Sequence, residues 1–260
     1  MKKIWKYRFY YYLALPGLIY FIIFHYVPMG GALIAFKDIS PFDGLRGFFD
    51  APWVGFKHFE RFISSVYFLD VIENTLIISG LKILFGFPAP IILALLLNEV
   101  LRMSLKRIMQ TISYLPHFIS WVVTAGMITA LLATSGGLLT ETINDFTGSN
   151  INFLGNKDYF VGILVTSHVW KTIGWSSIIY LAAMSSIDPA LYESARIDGA
   201  NRLQMAWHIT LPSIMFVIVI MFLLEIGNLL EAGFEQILLL YSPSVYKAVS
   251  YTHLTLPTIV

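Results

Sequence analysis

Five apolar runs, at residues 11–36, 71–97, 108–133, 159–184 and 212–230, decide what this chain can become. Each matches the ~20 residues that a helix needs to cross the hydrocarbon core of a bilayer. The chain is 57% hydrophobic and 13% charged, against a charged share of about 25% in ordinary soluble domains. A soluble fold of this size could not hide that much apolar surface, so the solvent must be lipid. The expected fold class is all-α: a polytopic transmembrane helical bundle with five spans.

Several function classes drop out at once. A formal net charge of +1 gives no footing for nucleic acid, and membrane lipid is the expected surrounding partner. With no cysteine there is no disulfide framework and no thiolate metal site. The six histidines show no H-E-x-x-H or similar spacing, so no metal is expected. Lys2, Lys3, Lys6 and Arg8 precede the first run as they would a signal peptide, but that run is too long and lacks a small-x-small cleavage site.

Basic residues set the expected orientation. The amino terminus, the connector with Arg102, Lys106 and Arg107, and a loop with Arg196 and Arg202 fall on one side. The other side holds residues 37–70, where Asp38, Asp43, Asp50, Glu60 and Asp70 offset the basic residues, and the Gly/Asn/Thr-rich residues 135–157. The expectation is a multi-pass plasma-membrane protein with its amino terminus in the cytoplasm. Its parts are residues 1–36 (cytoplasmic terminus and first span), 37–70 (extracytoplasmic loop), 71–247 (the main membrane domain) and 248–260 (a tail).

The loop between the fourth and fifth runs is the most ordered polar segment. Asp188-Pro189 is a helix start, because Asp caps free N–H groups and Pro is tolerated at the first helical position. A short helix then exposes Glu193 beside Ser194 and Ala195, and Gly199 suits the left-handed residue that ends it. Asn201 is placed to cap a second segment leading to Leu211-Pro212, with Pro212 opening the next span. A plain connector whose charges stay in water is the alternative reading.

The spacing of this loop resembles the EAA loop of binding-protein-dependent ABC importer permeases: E-A-A, three residues, G, nine residues, I-x-L-P. Glu193, Ala195, Gly199, Ile209, Leu211 and Pro212 fall in register, Ser194 replaces the central Ala, and Asp198 and Ala200 agree with a D-G-A form. The resemblance implies a type 1, MetI-like permease fold and a coupling helix seated in a groove of a cytoplasmic ATPase. Glu193, Ser194, Ala195 and Gly199 would make that contact, and Leu211-Pro212 would fix the angle of the following helix. The chain has no G-x-x-x-x-G-K-[ST], so ATP and Mg would be used by two partner ATPase subunits, with no cofactor on this chain and no enzymatic role.

Flanking segments resemble carbohydrate importer permeases of the LplB type: Asn74-Thr75-Leu76, Gly86-Phe87-Pro88-Ala89-Pro90, residues Tyr114 to Trp121, and residues Trp170 to Trp175. That likeness implies a sugar or oligosaccharide cargo, a second permease subunit as heterodimer partner, and an extracytoplasmic solute-binding protein. Full-length relatives have six spans, whereas residues 249–260 are too short and too polar for a last one. The tail resembles translated sequencing-adapter read-through, so it is expected to be non-native, with the natural sequence lost near Lys247 and the permease truncated. The other reading is a genuine five-span variant.

Lys82 and Lys171 fall mid-span, where insertion scales put a lysine at about 2.5–3.5 kcal/mol unfavourable. Two readings stand: a polar translocation path, with Trp170 and Trp175 offering faces to sugar rings, or structural contacts to Glu225 or to backbone carbonyls. Glu225, Asn228 and Glu231 are spaced to share one helix face, with Glu225 and Asn228 expected on the path and Glu231 at the outer interface. His25, His117 and His168 read as satisfied bundle residues, and Gly126, Gly162 and Gly174 as sites of close helix packing. An ABC permease for a non-sugar solute is the near alternative. A membrane enzyme is a distant one, since adjacent Ser167 and His168 point about 100° apart on a helix and form no nucleophile–base pair.

Overall fold

The computed structural model describes residues 5–40, 44–242 and Val245. Lys2, Lys3, Asp43, Lys247 and the tail 248–260 lie outside the described residues. Helices dominate, as expected, and among the described residues Lys37 and Trp53 form an isolated antiparallel β-bridge. Contacts divide the chain into two units, the first ending at Phe68 and the second beginning at Leu69.

The first unit opens with α1 (Arg8–Phe36), 29 residues long and apolar enough to cross a membrane. Pro28 lies inside it without breaking it. Proline has no N–H and crowds the carbonyl four residues back, and here the helix widens to a π turn over Ile22–Tyr26 just before it, with the Val27 N–H bonded to the Ile22 carbonyl. The chain then folds into α2 (Gly44–Asp50) and α3 (Lys57–Ile63). Buried Lys37 donates to the carbonyls of Phe48 (2.7 Å) and Phe49 (3.3 Å) at the end of α2, and its ammonium sits 5.1 Å from the Trp53 ring centroid. Phe36, Phe56 and Phe59 pack against one another, Phe36 and Phe56 edge to face, and Lys57 bonds Asp38 at 3.1 Å, holding that carboxyl below the usual range.

The second unit is built on α4 (Phe68–Asn98) and α8 (Lys157–Met184), whose mutual packing is its most extensive helix contact. Between them come α5 (Met103–Phe118), α6 (Trp121–Leu132) and α7 (Leu138–Thr147). After α8 come α9 (Pro189–Ile197), α10 (Arg202–Ser213), α11 (Met215–Gly227) and α12 (Phe234–Leu240). At 31 residues, α4 also suffices for a span. With 28 residues α8 extends about 42 Å, but Ser167, His168, Lys171 and Thr172 make its middle polar. Two apolar clusters form the core. One joins Ile78, Ala125, Phe160, Leu164, Ile237 and Leu240; the other joins Ala94, Tyr180, Met184 and Ile214.

Two predicted spans are not straight. Residues 108–133 fall into α5 and α6, bent by 100°. Pro116 removes one helical donor, and Ser120 starts a fresh helix by accepting from the Val123 N–H at 3.3 Å. The last run is bent by 67° between α10 and α11. Pro212 therefore does not open a span. It lies in the final turn of α10, accommodated by a second π turn over Ala206–Thr210, at the same offset as Pro28 from its own. The bend falls at Ile214, which is buried in the second cluster.

Of the three glycines expected at close contacts, Gly174 fits. A Cβ there would overlap the Ser113 carbonyl, whereas Gly126 and Gly162 face open space within 4 Å.

Candidate functional site

The polar loop folds as its capping residues dictate. Asp188 accepts from the Ala190 N–H (2.9 Å) and Pro189 takes the first position of α9. At the other end Gly199 adopts φ +82°, Gly199 N–H donates to the Arg196 carbonyl and Ala200 N–H to the Ala195 carbonyl, a Schellman closure. Asn201 and Gln204 then make a reciprocal capping box at the start of α10 (2.8 and 2.9 Å). Glu193, Ser194, Asp198 and Gly199 are exposed, and Ala195 and Ala200 half-buried. Ala195, Asp198, Gly199, Ala200 and Ile209 share the wall of a surface hollow of about 320 Å³; Leu211 and Pro212 lie just beyond it in the last turn of α10.

Two contacts that spacing alone does not reveal tie the loop down. The Tyr192 hydroxyl pairs with the buried Thr210 hydroxyl at 2.9 Å, locking α9 onto α10. Arg202 at the start of α10 bridges to Glu99 at the end of α4 at 3.4 Å.

A second site lies within the unit, between the two core clusters. It is a cavity of about 340 Å³ bordered by Lys82 and Ser79 of α4, His117 and Trp121 at the α5–α6 break, His168 and Lys171 of α8, and the stretch from Glu225 to Gln236. Thus Lys82, Lys171, Glu225 and Asn228, far apart in sequence, share one wall. Glu231 borders it too. Trp170 and Trp175 do not: Trp170 is exposed, and Trp175 stacks face to face on His117 at 4.6 Å. The aromatic face on this cavity belongs to Trp121, which lies over the Lys171 ammonium at 5.2 Å.

Both lysines are buried and both are held by backbone carbonyls, one of the two readings open at the start; no described ion pair links either to Glu225. Lys171 donates to the carbonyls of Pro116 (3.3 Å), His117 (3.3 Å) and Ile119 at the α5–α6 break, the first of which also accepts from the Ile119 N–H (3.2 Å). Lys82 donates to the Ala232 carbonyl (2.8 Å) and to Gln236 Oε1 (2.7 Å). Gln236 in turn donates to the Leu164 carbonyl (2.8 Å) and to Ser167 Oγ (2.7 Å), so one buried network joins α4, α8 and α12. It fixes the left-handed turn of Ala232 (φ 43°) and Gly233 (φ 83°) that leads from α11 into α12. Gln236 sits in an exposed-looking stretch of sequence, and nothing in its spacing points inward. Ser79 Oγ and His117 Nδ1, both at residues of the cavity wall, are buried without a hydrogen-bond partner. No group of histidine and carboxylate side chains among the described residues could hold a metal.

A family model described as the binding-protein-dependent transport system inner membrane component matches residues 86–251. The polygalacturonan/rhamnogalacturonan transport system permease protein YteP of Bacillus subtilis (strain 168) is 47% identical over 238 residues, 92% of this chain and 73% of that protein. Protein LplB of the same organism is 44% identical over 230 residues, covering 88% and 71%. Among solved structures, a bacterial ABC transporter involved in the import of the acidic polysaccharide alginate superposes with a TM-score of 0.86 at 43% identity, over 95% of this chain and 82% of that one. The chain belongs to the inner-membrane components of binding-protein-dependent transport systems, as a permease subunit that is not itself an enzyme.

Proposed function

We propose that this permease forms the path by which a sugar or oligosaccharide, handed over by an extracytoplasmic binding protein, crosses the membrane. The observation that carries this reading is the 340 Å³ cavity, which combines charged, hydroxyl and aromatic groups among the apolar helices of the second unit. Trp121 adds an aromatic ring to the wall beside Lys82, His168 and Glu225. The names of relatives support the cargo class: YteP carries polygalacturonan and rhamnogalacturonan in its name, and a second alginate transporter structure holds a periplasmic protein with an alginate pentasaccharide.

The amino terminus and the α9–α10 loop face the cytoplasm in this reading, following the basic residues around them. Glu193, Ser194 and Ala195 dock into one of two ATPase subunits, which bind ATP and Mg. A second permease subunit completes the path. The rigidity of the loop supports this, since both helix ends are capped and Tyr192 and Arg202 bind it to the neighbouring helices, so a push on α9 travels to α10 and α4.

The test is uptake into proteoliposomes holding the assembled complex and its binding protein. Labelled oligosaccharides from polygalacturonan or alginate should enter only with ATP, and glycerol 3-phosphate should not compete. Uptake of glycerol 3-phosphate alone would move the cargo to the non-sugar class.

A further inference from the structure

The end of α1 and the short helix α3 are held as one piece. The Val54 N–H donates to the Phe36 carbonyl (2.9 Å), the Asp38 N–H to the Pro52 carbonyl (3.0 Å) and His58 Nε2 to the Lys37 carbonyl (3.1 Å). Lys57 at the start of α3 adds its ion pair to Asp38. The depth that α1 takes in a bilayer therefore fixes the depth of α3. At 1.5 Å per residue the 29 residues of α1 measure about 43 Å. A bilayer with both headgroup layers included is ~40–45 Å thick. With Arg8 in one headgroup layer, Phe36 falls in the other, and α3 falls beside it.

The side chains of α3 suit that depth. Phe59 and Ile63 lie one turn apart, with Phe56 at the cap above Phe59, and all three are exposed (38%, 58% and 67%). Lys57 and Arg61, also exposed and one turn apart, stand about 160° around the helix from them. The apolar face continues the surface of α1, since Phe36 packs on both Phe56 (5.6 Å between ring centroids) and Phe59 (5.3 Å). None of the residues of α1 up to Met29 is more than partly covered by this chain. Trp53, 63% exposed, adds a residue type enriched at membrane–water interfaces.

We propose that α3 is an in-plane interfacial helix. Phe56, Phe59 and Ile63 bed into the boundary between phospholipid headgroups and acyl chains, and Lys57 and Arg61 face the water. An apolar face with cations opposite is the pattern of helices that lie on a membrane rather than across it. The contact holds the end of α1 at a set depth, whichever cargo the permease carries.

The chain has no cysteine, so single spin labels go at Ile63→Cys and Arg61→Cys in the assembled complex with cysteine-free partners. The complex is held in nanodiscs of phosphatidylethanolamine and phosphatidylglycerol. Power saturation with oxygen, which concentrates in lipid, and with a nickel chelate, which stays in water, reads the depth of each label. The oxygen-to-nickel accessibility ratio at position 63 should exceed that at position 61 several-fold. A ratio at 63 no higher than at 61 places the face in water, open to a binding protein, and overturns the proposal. Low accessibility to both reagents at 63 overturns it as well, because a second permease subunit then covers the face. If a labelled variant fails to assemble, the wild-type complex decides. Phosphatidylcholine with a photoactivatable diazirine in its upper acyl chain should crosslink to residues 56–63 as well as to α1. Crosslinks on α1 with none on residues 56–63 overturn the proposal.

Discussion

Three buried lysines serve one physical purpose in this chain. Lys37, Lys82 and Lys171 each send an ammonium to carbonyls at the end of another helix or turn. For Lys37 and Lys171, whose acceptors lie at the C-terminal ends of α2 and α5, the positive charge also meets the negative end of the helix dipole. In lipid this matters more than in water, because an uncapped carbonyl has no solvent to turn to. Removing a cap should therefore be felt. Lys82→Met leaves Ala232 and Gln236 without their donor and should destabilise the purified complex by about 1–3 kcal/mol, read by pulse proteolysis. Gln236→Leu in the same background should then lose clearly less than it does alone, since both belong to one network. Additive losses would show that the two act separately. Glycines provide a second contrast: Gly174→Ala should cost about 1–3 kcal/mol by overpacking against Ser113, while Gly162→Ala should be silent in the same assay.

At the scale of elements, the α9–α10 loop is the part whose local chemistry agrees best with its shape. Its caps, its terminating glycine and its second capping box all follow from short-range rules, which is why Asp188, Gly199 and Asn201 could be placed from spacing alone. Gly199 holds φ +82°, which proline cannot adopt. In the assembled transporter, Gly199→Pro should abolish ATP-dependent uptake while the partner ATPases continue to hydrolyse; unchanged uptake would remove the loop from the coupling path. Tyr192→Phe should give a milder form, with more ATP consumed per molecule imported, because only the tie to Thr210 is lost. Breaks inside apolar runs were harder to read. Hydropathy sums over a window and is blind to direction, so residues 108–133 and 212–230 looked like straight spans although each contains a bend. The prolines at 116 and 212 were visible, but their consequence depends on partners from other helices: Lys171 in one case and the buried seat of Ile214 in the other.

Across the whole chain, the all-helical membrane class was legible because composition and run length leave no other solution. Lys82, Lys171, Glu225 and Asn228 stood out as polar groups in apolar runs, and the fold brings all of them to one cavity. Trp170 and Trp175 stood out for the same reason yet lie off that wall: Trp170 points to a different face of α8 from its neighbour Lys171, and Trp175, one turn further on, stacks on His117. Trp121 was legible only as the end of a family-like segment and Gln236 was not singled out as a site residue, because an indole at a helix start and an amide in a mixed stretch are ordinary until packing gives them partners. The direct test of the cavity as the import path uses Asn228→Cys and, as control, Trp170→Cys, each the sole cysteine of the chain. Both are modified with a bulky thiol reagent before ATP-dependent oligosaccharide uptake is measured in proteoliposomes. Modification at Asn228 should block uptake and modification at Trp170 should leave it largely intact; undiminished uptake after full modification at Asn228 would contradict a path through this cavity.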